Sequence, residues 1–108
     1  MIERITPEQF HAADGVGDWR VVGGVARASF RTGSFAAGVA LVNRIAELSE
    51  AADHHPDIDL RYSSVSVHLI THHVQGLSMR DVELARAISI AAREMGVPAD
   101  NTAVAVDE

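Results

Sequence analysis

The sequence predicts an α+β fold of two layers, with three helices on one face of a four-stranded antiparallel sheet. The predicted elements follow in the order α-β-β-α-β-β-α, so the strands come in two consecutive pairs. Each pair has a short connection, which suits antiparallel neighbours, whereas parallel strands need a long crossover. With 108 residues, 47% of them hydrophobic, residues 1–108 are expected to form a single domain with a modest core.

The first half of the chain predicts a short helix followed by a hairpin. Thr6 can cap the helix, and Pro7 suits its first turn. Two strands are predicted at residues 19–22 and 25–30. Gly23-Gly24 between them is typical of a two-residue turn, which requires positive backbone φ angles.

A longer second helix is predicted from its cap at Ser34 to about Ala52. Residues at helical spacing form its predicted core face, namely Phe35, Val39, Val42, Ile45, Ala46 and Ser49. Leu41 and Leu48 lie outside this stripe. They are interpreted either as part of a wide buried face or as a second apolar seam used for self-association.

The second half of the chain predicts two more strands and a last helix. The strands are expected at residues 59–62 and 64–71, and the second alternates apolar and polar residues as a half-buried strand does. Ser63-Ser64 is interpreted either as the bend between them or as a bulge in one long strand. Ser78 opens the last helix with a capping-box-like start.

The chain after the last helix is predicted to leave the helical conformation at once. Gly96 fits the position that follows a helix end, and Pro98 prevents the helix from continuing. Residues 99–108 are then expected either to fray or to add a short edge strand through Val104 and Val106.

The composition excludes several classes of function. A formal net charge of −6 argues against the basic surface that nucleic-acid binders use. The absence of cysteine excludes disulfides and thiolate metal sites. No run of residues is long and apolar enough to span a bilayer, and residues 1–4 lack the features of a signal peptide. We therefore expect a cytoplasmic protein that binds neither nucleic acid nor membrane.

Histidines are the candidate functional residues. Asp53-His54-His55-Pro56 stands between the second helix and a strand, and His72 follows at the end of the next strand region. Histidine exchanges protons near pH 7. Such a cluster indicates proton-transfer chemistry if the fold brings its members together, whereas isolated loop histidines are ordinarily only solvated.

A spaced pattern around these histidines resembles the pterin-4a-carbinolamine dehydratases, a family that includes the dimerisation cofactor of a homeodomain transcription factor. The pattern is Glu50, three residues, His54-His55-Pro56, five residues, Tyr62, nine residues, His72, eight residues and Asp81. The flanking segments Thr71-His72, Gly76-Leu77-Ser78 and Arg80-Asp81 agree as well. The resemblance covers about residues 19–95.

The resemblance implies that the protein dehydrates a 4a-hydroxytetrahydropterin to the quinonoid dihydropterin, and so recycles the pterin after an aromatic amino acid hydroxylase has used it. No metal or cofactor is expected. Family members form dimers or tetramers, so the resemblance also implies a homodimer or homotetramer. The alternative function is a non-catalytic dimerisation module or a regulatory module for another protein.

In the implied reaction we assign His54 and His72 to acid–base catalysis, leaving open which is the acid. His55 is expected to bind and position the substrate, since adjacent side chains in an extended segment point to opposite sides. Pro56 biases His55 towards an extended backbone and belongs to the same binding segment.

Glu50 and Asp81 are also expected to bind the substrate, although each has a structural interpretation. Glu50 could be a solvated helix residue, and Asp81 could cap the last helix. Tyr62 is interpreted as a packing residue. Ile58 stands where the family usually has an aromatic residue, which could alter the fit of the substrate. The histidines outside the pattern are interpreted as incidental: His11 in the first helix, His68 exposed or at a subunit contact, and His73 solvated.

A metal site built from the histidines is the least favoured interpretation. The chain offers no thiolate, and it has no His-x-x-x-His pair on a predicted helix. His68 and His72 have that spacing, but on a predicted strand it does not direct both to one site.

Overall fold

The computed structural model describes residues 2–100, 102 and 104. Its elements confirm the predicted order and add one short 3₁₀ helix. They are α1 (Pro7–Ala12), β1 (Arg20–Val22), β2 (Val25–Arg31), α2 (Phe35–Ala52), β3 (Asp57–Leu60), β4 (Ser64–Leu69), the 3₁₀ helix (His72–Val74) and α3 (Met79–Glu94).

All four strands form one antiparallel sheet in the order β1-β2-β4-β3. The predicted hairpin is confirmed, because Val22 pairs with Val25 across Gly23-Gly24. These two glycines have φ angles of 60° and 78°, as a two-residue hairpin turn requires. α2 connects β2 to β3, and β3 then returns as a hairpin beside β4. This topology brings the end of α2 close to the end of β4.

The core lies between the helices and one face of the sheet. The inward residues of the two central strands are all buried, namely Ala26, Ala28, Phe30, Val65, Val67 and Leu69. Trp19 belongs to the same core, and its indole N–H donates a 2.9 Å hydrogen bond to Ser89 Oγ on α3. A buried indole needs such a partner, so this bond fixes α3 against the start of the sheet.

The core face of α2 differs from the predicted one. The helix buries Gly38, Leu41, Ile45 and Ser49, whereas Phe35 and Val39 are 51% and 37% exposed. The interpretation of Leu41 as part of a self-association seam is therefore wrong, because its side chain is fully inside the core.

Gly38 gives a physical reason for this orientation. A Cβ atom at Gly38 would lie 2.7 Å from Leu60 Cδ1, so α2 packs against β3 at a position where a side chain is absent. Helical spacing alone could not identify this face, because both stripes of α2 are apolar at the same period.

The second pair of strands also has different bounds from those predicted. β3 begins at Asp57 and ends at Leu60, so Tyr62 lies in the following turn with 73% of its surface exposed. The packing role expected for Tyr62 is therefore wrong. The turn is closed by the Arg61 N–H, which donates to Ser64 O over 2.9 Å. β4 ends at Leu69, two residues short of the predicted Thr71.

The segment after α3 pairs with the end of β2, at the part of that strand's edge that β1 is too short to cover. Arg31 N–H donates to Pro98 O over 2.9 Å, and Asp100 N–H donates to Ser29 O over 2.8 Å. Val104 is buried in a bend, whereas Val106, the other residue of the predicted edge strand, lies outside the described residues. None of the helices described here is long and apolar enough to cross a membrane.

Candidate active site

Four histidines line one shallow pocket of about 250 Å³ where α2, β4 and α3 meet. We call it the histidine pocket, and its lining residues are Asp53, His54, His55, Ile70, Thr71, His72, His73 and Arg80. The structure thus brings together the three histidines of the predicted pattern. It adds His73, for which the sequence predicts only contact with solvent. The only sequence signal for His73 was that it directly follows His72.

The sharp turn after α2 separates the two adjacent histidines. Asp53 ends the helix in the left-handed conformation, with φ 49° and ψ 44°. This conformation is costly for most residues with a side chain but is tolerated by Asp. The His54 N–H then donates to Ser49 O over 3.1 Å. As a result, His54 is directed inwards and is 8% exposed, whereas His55 points outwards into solvent.

The inward histidine contacts the carboxylate of Asp81. His54 Nε2 lies 2.6 Å from Asp81 Oδ1, and Asp81 is fully buried in the first turn of α3. The other oxygen, Oδ2, accepts hydrogen bonds from Thr71 Oγ1 over 2.7 Å and from the Ser78 N–H over 3.0 Å. Both carboxylate oxygens are thus occupied by donors, and Asp81 does not line the histidine pocket.

These contacts favour one tautomer of His54. Because Asp81 Oδ2 already accepts two hydrogen bonds, we infer that Oδ1 is an acceptor as well and that His54 Nε2 carries the hydrogen between them. Nδ1 of His54 has no hydrogen-bond partner among the described residues. We therefore infer that Nδ1 is the ring nitrogen that a bound ligand can reach.

Two hydroxyl groups extend this network behind Asp81. Thr71 Oγ1 lies 2.7 Å from Ser78 Oγ, and Ser78 Oγ accepts a 3.2 Å hydrogen bond from the Arg80 N–H. Because the Thr71 hydroxyl donates to Asp81, the Ser78 hydroxyl must donate to Thr71. The predicted capping box at the start of α3 is confirmed, because Asp81 accepts the Ser78 N–H while the Ser78 side chain accepts a backbone N–H of the first turn. Thr71 directly precedes His72, so Asp81 is connected to both predicted catalytic histidines.

A closed loop presents His72 and His73. Thr71 and Gly76 pair through two backbone hydrogen bonds of 2.8 and 3.4 Å, with the 3₁₀ helix between them. The N-terminal segment holds this loop from outside, because Arg4 Nη2 donates to Gln75 O over 3.1 Å and the Ile5 N–H donates to Leu77 O over 2.8 Å. The predicted strand to Thr71 did not anticipate this loop.

The remaining residues of the pattern lie around the rim. Glu50 Oε2 lies 2.5 Å from His55 Nε2, and both side chains are largely exposed, so the pair contributes little to stability. Pro56 is half-buried and follows His55 outside the pocket lining. Ile58 pairs with Val67 and packs against the core, so it lies away from the histidine pocket.

Arg80 connects the start of α3 to the end of α2, next to His54. Its Nη2 atom donates a 2.9 Å hydrogen bond to the backbone oxygen of Asp53, at the end of α2. Arg80 also lines the histidine pocket and is half-buried. It was absent from the predicted site residues, although it stood in the flanking Arg80-Asp81 segment of the resemblance. The site therefore has one permanent positive charge beside its histidines.

The other histidines lie elsewhere. His11 is exposed on α1. His68 is half-buried on the outer face of the sheet, between Arg27 and Asp57 in the strand register. Burial, and then the positive charge of Arg27, lowers the pKa of His68. Among residues 2–100, 102 and 104, no group of three or more His, Cys, Asp or Glu side chains is arranged to hold a metal ion.

Comparisons with known proteins identify the family. The family model described as pterin 4 alpha carbinolamine dehydratase matches residues 3–91. Proteins from Mycobacterium leprae and Mycobacterium tuberculosis, both provisionally named pterin-4-alpha-carbinolamine dehydratase, are 41% identical over 85 residues, covering 78% of this chain and 90% of each relative. The crystal structure of a transcriptional coactivator/pterin dehydratase from Brucella melitensis is similar, with a TM-score of 0.72 and 29% identity over 83% of this chain and 99% of that one. The histidine pocket thus lies in a chain that belongs to the pterin 4 alpha carbinolamine dehydratase family.

Proposed function

We propose that this protein dehydrates a 4a-hydroxytetrahydropterin to the quinonoid dihydropterin in the histidine pocket, as a step in pterin recycling. The observation that carries the proposal is the contact between His54 Nε2 and Asp81, which leaves Nδ1 of a nearly buried imidazole for the substrate. Family membership supplies the substrate class and the reaction type.

The reaction needs one acid and one base. The bond between C4a and its hydroxyl oxygen breaks, and a proton from an acid lets the oxygen leave as water. N5 loses its proton to a base, and the electron pair left on N5 forms the double bond to C4a. No electrons are exchanged with another molecule, so two imidazoles suffice, and each well-placed proton transfer contributes about 10²–10⁴-fold to the rate.

In this proposal His54 is the base at N5 and His72 is the acid at the hydroxyl group. When Nδ1 of His54 accepts a proton, the resulting imidazolium faces the carboxylate of Asp81 at 2.6 Å. A carboxylate in that place orients the ring and stabilises its protonated form. His72 is exposed on its loop and can exchange its proton with solvent after each turnover.

The other predicted binding residues have supporting roles in this proposal. His55 contacts the outer edge of the substrate from the rim, with Glu50 holding its ring and Pro56 restricting its backbone. Asp81 acts through His54 as a positioning residue, because both of its oxygens are already used inside the protein.

The proposal is tested by following the decay of a freshly prepared 4a-hydroxytetrahydropterin with purified protein. His54→Ala and His72→Ala should each lose about 10²–10⁴-fold of the acceleration while keeping the circular dichroism of the folded protein. His11→Ala, an exposed histidine on α1, is the matched control and should keep full activity. Full activity in both pocket variants would refute the assigned roles.

A second candidate function, a binding module, is favoured by the exposed face of α2. Phe35 and Val39 are large apolar residues in solvent, and Val42 and Ala46 continue the same stripe at helical spacing. The similar Brucella melitensis protein is described as a transcriptional coactivator as well as a pterin dehydratase. We therefore propose that this face, in place of the buried Leu41, forms the contact in a homodimer or homotetramer.

Size measurement tests this second proposal. Phe35→Glu/Val39→Glu should reduce the mass of the particle in solution, because two charges would be buried in the interface. Met95→Glu, at an exposed apolar residue after α3, is the control and should leave the mass unchanged. An unchanged mass for the double variant would remove the α2 face from consideration.

A further inference from the structure

The closed loop of residues 71–76, which we call the His72 loop, has little burial of its own to hold it in place. Its residues His72, His73 and Gln75 are exposed, and Val74 is half-buried. The 3₁₀ helix inside it is a single short turn with weaker hydrogen-bond geometry than an α-helix has. Gln75 closes the loop in the left-handed conformation, with φ 49° and ψ 48°, which is costly for a residue with a side chain. The position of His72 therefore depends on contacts from outside the loop.

Arg4, in the segment before α1, makes such a contact. Its Nη2 atom donates a 3.1 Å hydrogen bond to Gln75 O, and the Gln75 N–H donates to His72 O over 3.0 Å. Two consecutive hydrogen bonds thus connect the Arg4 guanidinium group to the backbone of His72. The proposed proton transfers give Arg4 no part of their own.

Gly76 provides the surface on which the Arg4 side chain lies. A Cβ atom at Gly76 would lie 2.5 Å from Arg4 Nε and 3.2 Å from both Cζ and Nη2, and these are the three atoms nearest to it. The backbone of Gly76 does not adopt the positive φ angles for which glycine is favoured. The close approach of Arg4 therefore gives a physical reason for the absence of a side chain at this position.

The position of Arg4 is itself fixed by α1. Phe10 is fully buried and anchors this short helix in the core. Thr6 forms the capping box that starts the helix, so the chain enters it at a defined point. Between the cap and Arg4, the Ile5 N–H donates to Leu77 O over 2.8 Å, directly after the His72 loop. α1 and these backbone contacts therefore place the Arg4 side chain over the loop.

We propose that Arg4, lying on Gly76, is a positioning residue for the dehydration reaction. It holds the His72 loop at Gln75, so that His72 stays where it can protonate the departing hydroxyl group. This inference rests on the proposed dehydratase function and assigns a part in it to a segment outside the histidine pocket. Arg4 does not line that pocket, so it acts through the loop and makes no contact with the substrate.

The first test measures kcat and KM of Arg4→Ala with a freshly prepared 4a-hydroxytetrahydropterin. We expect kcat to fall about tenfold, because a displacement of about 1 Å at a catalytic group can cost up to about 10²-fold. KM should stay within about twofold of wild type, since the contact serves the transition state and not substrate binding. A wild-type kcat in Arg4→Ala, or a rise in KM alone, would overturn the inference.

Arg61→Ala is the matched control for Arg4→Ala. Arg61 is also exposed and also makes a hydrogen bond, to Asp59, but it lies before β4, whereas the His72 loop follows that strand. Its replacement should alter neither kcat nor KM. Circular dichroism verifies that both variants are folded, as expected for exposed side chains.

Gly76→Ala tests the same contact from the loop side. The added methyl group overlaps the guanidinium group, so it should displace Arg4 and lower kcat to about the level of Arg4→Ala. Once the Arg4 side chain is removed, the methyl group no longer meets it. Arg4→Ala/Gly76→Ala should therefore be as fast as Arg4→Ala within about twofold, because residues in contact are not additive. A wild-type kcat in Gly76→Ala, or effects that multiply in the double variant, would contradict the proposed contact.

Amide hydrogen exchange separates this inference from the dehydratase function itself. The N–H groups of Val74, Gln75 and Gly76 all donate within the loop, so their exchange reports how often the loop opens. Exchange should be about fivefold faster in Arg4→Ala, which is the effect of losing one hydrogen bond of ordinary strength, and unchanged in Arg61→Ala. This result supports the role of Arg4 even if the wild-type protein accelerates no dehydration. Unchanged exchange in Arg4→Ala would overturn that role whatever the activity of the wild type.

Discussion

His54 Nε2 and Asp81 Oδ1 lie 2.6 Å apart, and this contact joins the end of α2 to the first turn of α3. The same carboxylate accepts the Ser78 N–H through Oδ2 and so completes the capping box of α3. One buried group therefore stabilises a helix start and orients the imidazole of the candidate active site. Substitutions in its network should change stability and catalysis together.

Replacing Asp81 by asparagine tests this double role. One of the two oxygens becomes an amide nitrogen, so either the Thr71 and Ser78 donors lose an acceptor, or His54 must take the tautomer that carries its hydrogen on Nδ1. A buried donor without an acceptor costs about 1–3 kcal/mol, so the free energy of unfolding in urea should fall by up to that amount. The dehydration rate should fall by about 10²-fold or more, because the His54 ring loses its orientation.

The exposed Glu94, at the end of α3, provides the control for Asp81→Asn. Glu94→Gln makes the same change from carboxylate to amide and should alter neither quantity. Wild-type kcat in Asp81→Asn would show that the contact with His54 has no part in catalysis.

Thr71 is the second residue at which we predict a combined effect. Thr71→Val keeps the shape of the buried side chain but removes the hydroxyl between Ser78 Oγ and Asp81 Oδ2. The unpaired groups should lower the free energy of unfolding by about 1–3 kcal/mol. Because Thr71 also precedes His72, kcat should fall more than KM rises. Thr71→Ser restores the hydroxyl and should recover most of kcat, and a Ser variant as slow as the Val variant would contradict the role of the hydroxyl.

The orientation of α2 predicts that truncating two large apolar residues on this helix has very different effects on the free energy of unfolding. Leu41 is fully buried, so Leu41→Ala should lower the free energy of unfolding by about 2–5 kcal/mol through the lost contacts and the cavity. Phe35 is 51% exposed, so Phe35→Ala should change it by about 0.5 kcal/mol or less in the dissociated protein. Urea unfolding at low protein concentration measures both, and similar losses would contradict the observed core face.

His68 predicts a dependence of stability on pH. Burial, followed by the charge of Arg27, lowers its pKa against the opposing effect of Asp57 and Asp59. The unfolded chain therefore binds a proton at His68 more readily than the folded protein does. Its contribution to stability is complete above the unfolded pKa of about 6.5 and is lost as the pH falls through the lower folded value.

The measurement for His68 is the slope of unfolding free energy between roughly pH 7 and pH 5. His68→Gln should make this slope shallower than in the wild type, because one group that gains a proton on unfolding is removed. A slope that is the same in His68→Gln and wild type would show that His68 titrates alike in both states.

Much of the fold could be predicted from local features. Thr6, Ser34 and Ser78 cap the three helices as predicted, and Gly23-Gly24 forms the expected turn, since caps and turns depend on a few adjacent residues. The predicted core face of α2 failed at Phe35, because both stripes of that helix are apolar. Tyr62 was misplaced because the register of β3 against β4, from Asp57 with His68 to Leu60 with Val65, is a contact between distant residues.

The sequence by itself determined the spaced pattern from Glu50 to Asp81, because that spacing is a property of the chain alone. Only the tertiary structure decided where the side chains of the pattern lie. It directed His54 to a buried carboxylate and His55 to solvent, and it added His73 and Arg80 to the pocket. The physical reason is that a hydrogen bond such as the one from His54 to Asp81 joins residues 27 positions apart. Their distance is set by the packing of α2 and α3 on the sheet, which no local pattern of residues encodes.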